Sequence, residues 1–151
     1  MSPHADATAV FVDTNTILDV LAERKPFYKA SARVWTMAER GEIVAYVSSI
    51  SFNNVYYVVR KLRDRKHADR AVCVMRDVFR PVGTDEQILN QAIDSRMKDF
   101  EDAIQYFSAV HARADYLVTR NPDDFPAEPV PVLSPEEFIA VAEVKGETHD
   151  E

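Results

Sequence analysis

The amino-acid sequence predicts an α/β fold with a mainly parallel sheet, on three observations. Short apolar runs such as "TAVFVD" (8–13), "EIVAYVSS" (42–49) and "DYLVT" (115–119) have the length and β-branched content of buried strands. Between them lie longer segments with apolar residues at three- and four-residue steps, the period of an amphipathic helix. Strands that alternate with helices in this way are joined by crossovers and lie parallel.

Taken in order, the first strand runs into a helix from Thr14 to about Ala22, and "KPFYKASARVWTMAERG" (25–41) is a longer helix for which Gly41 is a natural stop. The second strand (42–49) leads into "ISFNNVYYVVRKLRDRK" (50–66), helical despite its β-branched residues because Val55, Val58, Val59 and Leu62 share one face. A helix over 67–79 and a short strand over 79–83 come next. Thr84 with Gln87 fits a capping box for a helix over 85–94. "DFEDAIQYFSAVHARA" (99–114) is the clearest helix of the chain, followed by the strand 115–119 and a loop with two prolines, "RNPDDFPAEP" (120–129). After "VPVL", Ser134, Pro135 and Glu137 open a last helix. Residues 1–7 are expected to be a flexible start, 8–142 one domain, and 143–151 a polar, disordered tail.

Composition narrows the function. With 151 residues, 46% of them hydrophobic, the chain can bury a core of about one average domain. No apolar run reaches the roughly 18 residues of a membrane span, and "MSPHADAT" lacks the basic start and apolar stretch of a signal peptide, so a cytoplasmic location is expected. The single cysteine excludes disulfide staples and zinc ribbons; Cys73, inside an apolar helical pattern, reads as a small buried residue. A net charge of −7 argues against coating nucleic acid by bulk attraction, which leaves room for a local basic patch.

In such folds ligands bind at the carboxyl ends of the strands, where strand order reverses. Asp13 ends the first strand; Asp99, Glu101 and Asp102 open the helix at 99–114; Asp123 and Asp124 follow the strand at 115–119. Each has an ordinary explanation: a helix cap, first-turn acids, turn residues. Three acidic groups at three strand ends are harder to explain singly, because two carboxylates 4 Å apart repel by about 4 kcal/mol at an effective dielectric of 20. A bound cation offsets that repulsion, and oxygen ligands without histidine or cysteine favour Mg²⁺ or Mn²⁺.

These stretches resemble a known family. "FVDTNTILD", "SSISFNNVYYVVRK", "KDFEDAIQYFSA", "DYLVTRNPDDF" and "VLSPEEF" stand in the order and spacing of the PIN domain, the metal-dependent nuclease fold of VapC-type toxins. The resemblance implies a three-layer α/β/α fold, Mg²⁺- or Mn²⁺-dependent hydrolysis of RNA phosphodiester bonds, an antitoxin partner and a homodimer. Residue by residue, Asp13 matches the first acid and Asn15 the polar residue that orients it. Asp102 matches the acid before the "AIQYFSA" helix body, with Asp99 as its companion, and Asp124 the acid of "TRNxxDF", with Thr119 and Asn121 lining the site. Where the family usually places a glutamate, one turn into the helix after the second strand, this chain has Asn54. An amide can ligate Mg²⁺ or hold a water that does, but it removes a charge. The alternative this departure suggests is a PIN fold that has lost catalysis and binds RNA or protein.

The basic run "RKLRDRKHADR" (60–70), with Arg60, Lys61, Arg63, Arg65, Lys66 and Arg70, is either a phosphate track beside the acids or a solvated helix end whose cations complement the dipole. Tyr28, Trp35, Tyr56 and Tyr57 fit a subunit contact and an ordinary core equally well. Two other classes fit less well. Haloacid dehalogenase-type phosphatases require a second aspartate where Asn15 stands, and receiver-like domains require a lysine where "VTRN" supplies Arg120.

Overall fold

The structure, a computed structural model, describes residues 7–149; residues 1–6 of the expected flexible start (1–7) and the last two residues lie outside them. Five parallel strands, β1 (Thr8–Val12), β2 (Ile43–Ser48), β3 (Arg80–Val82), β4 (Tyr116–Val118) and β5 (Val132–Leu133), stand in the order β3-β2-β1-β4-β5. Among the described residues seven α-helices connect and cover them: α1 (Thr14–Leu21), α2 (Tyr28–Glu39), α3 (Ser49–Leu62), α4 (Arg65–Val78), α5 (Glu86–Ser95), α6 (Phe100–His111) and α7 (Pro135–His149).

The pleat of β1 distributes the core between the two faces. Val10 and Val12 pack with α1, α2, α3, α4 and α7 through Ile17, Val34, Val55, Met75 and Phe138. Phe11, pointing the other way, packs with α5 and α6 through Ile88, Ala92, Ala103 and Tyr106. Two cores on two faces make the expected three layers, and strands buried on both sides account for the nearly unbroken apolar run of β1.

The strand order creates the site. From β1 the chain proceeds through β2 to β3 on one side and then crosses to β4 on the other. The reversal falls between β1 and β4, where the connections leave in opposite directions and open a crevice at the carboxyl ends. The Asp13 N–H donates to the Val118 carbonyl at 3.0 Å, so the residue after β1 is tied to the last residue of β4.

Several boundaries differ from the sequence expectation, for local reasons. Helix α3 stops at Leu62 instead of running to 66, because Asp64 is extended and its carboxylate accepts the His67 N–H at 2.8 Å, capping α4. Leu62 is consequently 68% exposed, while Val55 on the same face is fully buried. Helix α5 is capped by Asp85, whose carboxylate accepts from the Ile88 N–H, and not by Thr84. Cys73 is exposed rather than buried, since α4 turns Ala68, Ala71 and Met75 inward and Cys73 lies off that face. Helix α7 opens with the reciprocal Ser134–Glu137 cap and runs to His149, into the stretch expected to be a polar, disordered tail. Glu143 pairs with Arg33 at 3.0 Å, and Lys145 lies over the Tyr116 ring. Gly41 ends the α2 region with φ 72°, a left-handed conformation that favours glycine.

Candidate active site

Asp13 stands at the N-cap position of α1 in an extended conformation, yet its side chain makes no capping bond. The carboxylate is instead buried, 3% exposed, with Oδ2 accepting the Thr119 hydroxyl at 3.0 Å and Oδ1 making no hydrogen bond. The first N–H of the helix is satisfied from elsewhere: Thr14 N donates to Gln105 Oε1 at 3.0 Å, and the Thr14 hydroxyl lies 2.6 Å from that of Ser51. Burial pushes the Asp13 carboxyl up to about 6; the Thr119 and then the Gln105 side chains work against the shift, and the charge of Glu101 adds to it.

Helix α6 delivers the next acids. Asp99 is its N-cap, accepting the Asp102 N–H at 2.9 Å, so this residue has a structural task whatever else it does. The Asp102 carboxyl is pushed up to about 7, first by burial and then by the charges of Asp99, Asp13, Asp124 and Glu101. That list is itself a map: acids from β1, from the first turn of α6 and from the short 3₁₀ turn at Pro122–Asp124 after β4 are near enough to act on one carboxylate. Asp99, Asp102, Asp123 and Asp124 line a common cleft of about 560 Å³ with Lys98.

A second cleft of about 720 Å³ opens beside the first turn of α6, lined by Thr14, Asn15, Asn54, Tyr57, Arg60 and Glu101 among others. The structure therefore brings Asp13, Asp102, Asp99, Asp124 and Thr119 to one end of the sheet and sets Asn15 and Asn54 in the adjoining cleft. The hydroxyl of Thr119 makes the bond to Asp13 that was expected of Asn15. Asn121, exposed, donates its N–H to the Thr119 hydroxyl at 3.3 Å. Of the basic run, Arg60 lines the second cleft and Lys61 lies over the exposed Tyr57 ring. Arg63 and Arg65 are engaged locally, near His67 and Asp69, and Lys66 and Arg70 are exposed on α4. Of the aromatics, Trp35 is core, edge-on to Phe79, whereas Tyr57 is 63% exposed.

Three features escaped the sequence reading. Glu101 accepts the Asn54 amide at 2.9 Å. Gln105, one helical turn beyond Glu101, is a buried polar residue in an apolar helix body, and that pattern was the available signal. Asp19, fully buried, takes Arg24 at 2.8 Å and Arg120 at 3.0 Å, bracing α1 against the loop that carries Asn121 and Asp124. An acid within "TILDVL" was its only trace.

A divalent cation suits this donor set. The donors are carboxylate oxygens, and the orphaned Asp13 Oδ1 is a buried acceptor with an unmet need. Among the described residues no three acidic, histidine or cysteine side chains converge on one point as they stand.

The PIN domain family profile matches residues 9–123. The chain is a PIN domain. It is 29% identical over 134 residues to Ribonuclease VapC1 of Aquifex aeolicus, covering 85% of this chain and 92% of that protein. Solved structures share the fold of this PIN domain at lower identity. VapBC2 from Rickettsia felis, bound to a promoter DNA fragment, matches with a TM-score of 0.65 and 15% identity over 84% of this chain and 98% of that one. A toxin–antitoxin complex from Klebsiella pneumoniae matches with a TM-score of 0.63 and 23% identity over 85% and 98%.

Proposed function

We propose that this PIN domain is a Mg²⁺- or Mn²⁺-dependent endoribonuclease, the toxin of a toxin–antitoxin pair. The observation that carries the reading is the buried Oδ1 of Asp13, without a hydrogen bond at the strand-order reversal, with acids from the first turn of α6 and from the turn after β4 near by. Membership of the family, similarity to a ribonuclease VapC1 and a fold shared with toxin–antitoxin complexes support it. Asp13, Asp102 and Asp124 would hold the ion, with Asp99 close by. When bound, a divalent cation supplies charge for the phosphate oxygens and acidifies a bound water.

The chain's own residues do the rest. Thr119 fixes one Asp13 oxygen and leaves the other free of hydrogen bonds, and Gln105 relieves Asp13 of capping α1. The Asp19–Arg120 pair holds the β4 loop and with it Asp124. Arg60 and Lys61, continuing through Arg63, Arg65 and Lys66 at the α3–α4 corner, offer cations to the RNA backbone that the acids alone would repel. The degenerate alternative has less ground, because the charge missing at Asn54 is present 2.9 Å away on Glu101. An antitoxin segment covering the acidic clefts, a homodimer and a cytoplasmic location belong to the same reading; no helix among the described residues is long and apolar enough to cross a membrane.

The test is cleavage of single-stranded RNA by the purified protein with Mn²⁺, with EDTA, and in the Asp13→Asn variant. Cleavage that needs the metal and is lost in the variant is expected. Cleavage unaffected by EDTA or by the substitution would refute the assignment.

A further inference from the structure

Position 54 is where the chain departs from its family, and Glu101 brings a carboxylate to the same place from a different helix. Glu101 and Asp102 are consecutive in the first turn of α6, so their side chains leave the axis about 100° apart. Asp102 faces the cleft with Asp99, Asp123 and Asp124; Glu101 faces the cleft with Thr14, Asn15, Asn54 and Arg60. An acid in a first helical turn needs no partner to be favourable there, since the dipole suffices. Glu101 nevertheless has one: Asn54 Nδ2 donates to its Oε1 at 2.9 Å, across 47 residues of chain. Its charge also reaches both Asp13 and Asp102. Independently, the Asp13 Oδ1 is buried and makes no hydrogen bond, an acceptor that a cation would satisfy.

We propose that Glu101 supplies the fourth carboxylate of the metal site and that Asn54 is its positioning residue. The inference rests on the metal-dependent reading above. A glutamate at position 54 would meet Glu101 as a like charge; an asparagine converts that encounter into a hydrogen bond. A carboxylate has two oxygens, and the amide occupies one, leaving the other for the ion or for a water held on it. The charge of the site is kept while its source moves from α3 to α6.

The experiment is Mn²⁺ titration by calorimetry, without RNA, on the full chain. It compares wild type, Glu101→Gln, Asn54→Ala, the double variant, Asn54→Glu with Glu101→Gln, and Asp13→Asn, each checked for native circular dichroism. Glu101→Gln should weaken Mn²⁺ binding by about 10- to 100-fold, the range seen when groups supporting a metal site are lost. Asn54→Ala should weaken it less, and should add nothing in the Glu101→Gln background, because its effect passes through Glu101. Asn54→Glu in that background should recover most of the loss by restoring the acid on α3. If Glu101→Gln binds like wild type while Asp13→Asn does not, Glu101 is no part of the site and the metal reading stands without it. If wild type binds no Mn²⁺, both fall. If the Asn54 and Glu101 losses simply multiply, the positioning role is wrong.

Discussion

Replacing Asp13 by asparagine should make the metal-free protein more resistant to alkaline conditions while destroying its activity. The Asp13 carboxyl is raised from 3.8 to about 6, chiefly by burial. At about 1.36 kcal/mol per pH unit, ionising it in the folded state costs on the order of 3 kcal/mol. A raised acid binds its proton more tightly when folded, so its contribution is fully present below pH 3.8 and is lost as pH rises through about 6. Between pH 4.5 and 8 the loss comes to roughly 2 kcal/mol, or about 4 to 8 °C in Tm for a chain of this size. Asparagine keeps an acceptor for the Thr119 hydroxyl and carries no charge, so this fall should vanish. The assay is urea unfolding in EDTA at both pH values. The stability of Asp13→Asn relative to wild type should improve by about 2 kcal/mol on going to pH 8. A difference between the two proteins that does not change with pH would refute the reasoning.

Other perturbations follow from the same geometry. Metal must displace protons from Asp13, raised to about 6, and Asp102, raised to about 7, so Mn²⁺ affinity should climb from pH 5.5 to 7.5 with proton release on binding; calorimetry in buffers of different ionisation enthalpy reads both, and a flat profile would count against these two as ligands. Arg120→Ala leaves the fully buried Asp19 with Arg24 alone and should cost about 2 kcal/mol in urea unfolding. A cost near zero would mean that the brace is dispensable. Arg60→Ala should weaken binding of single-stranded RNA to the Asp13→Asn variant regardless of sequence and lower its log–log salt slope by about 0.7; an unchanged slope would remove Arg60 from the backbone track.

The layers and the strand sequence were legible because each depends on local pattern, apolar runs with strand length and helical spacing. Asp13 follows β1 directly and Asp124 stands in the turn after β4, whereas Asp102, read as a strand-end acid, stands in the first turn of α6 behind the intervening α5. Where pairs of neighbours compete, sequence was less informative. Asp64 and Asp85 won their caps over alternatives one or a few residues away, since a carboxylate accepts an amide N–H well from either register. The later turns of α7 meet Arg33 and Tyr116, residues remote in sequence that no composition rule connects to Glu143 and Lys145. The same holds at the site. Thr119 rather than Asn15 bonds Asp13, and Glu101 meets Asn54, because β1 lies beside β4 and α6 approaches α3, pairings that emerge only from the strand order.

The central claim, that Asp13, Asp102 and Asp124 form a divalent-metal site, is tested most directly by a crystal structure of the protein soaked in Mn²⁺, with the ion located by its anomalous scattering. The expected result is Mn²⁺ in direct contact with Asp13 Oδ1 and an oxygen of Asp102, with Asp124 reaching it directly or through water. A protein that holds no Mn²⁺ at millimolar concentration, or holds it away from Asp13, would contradict the account.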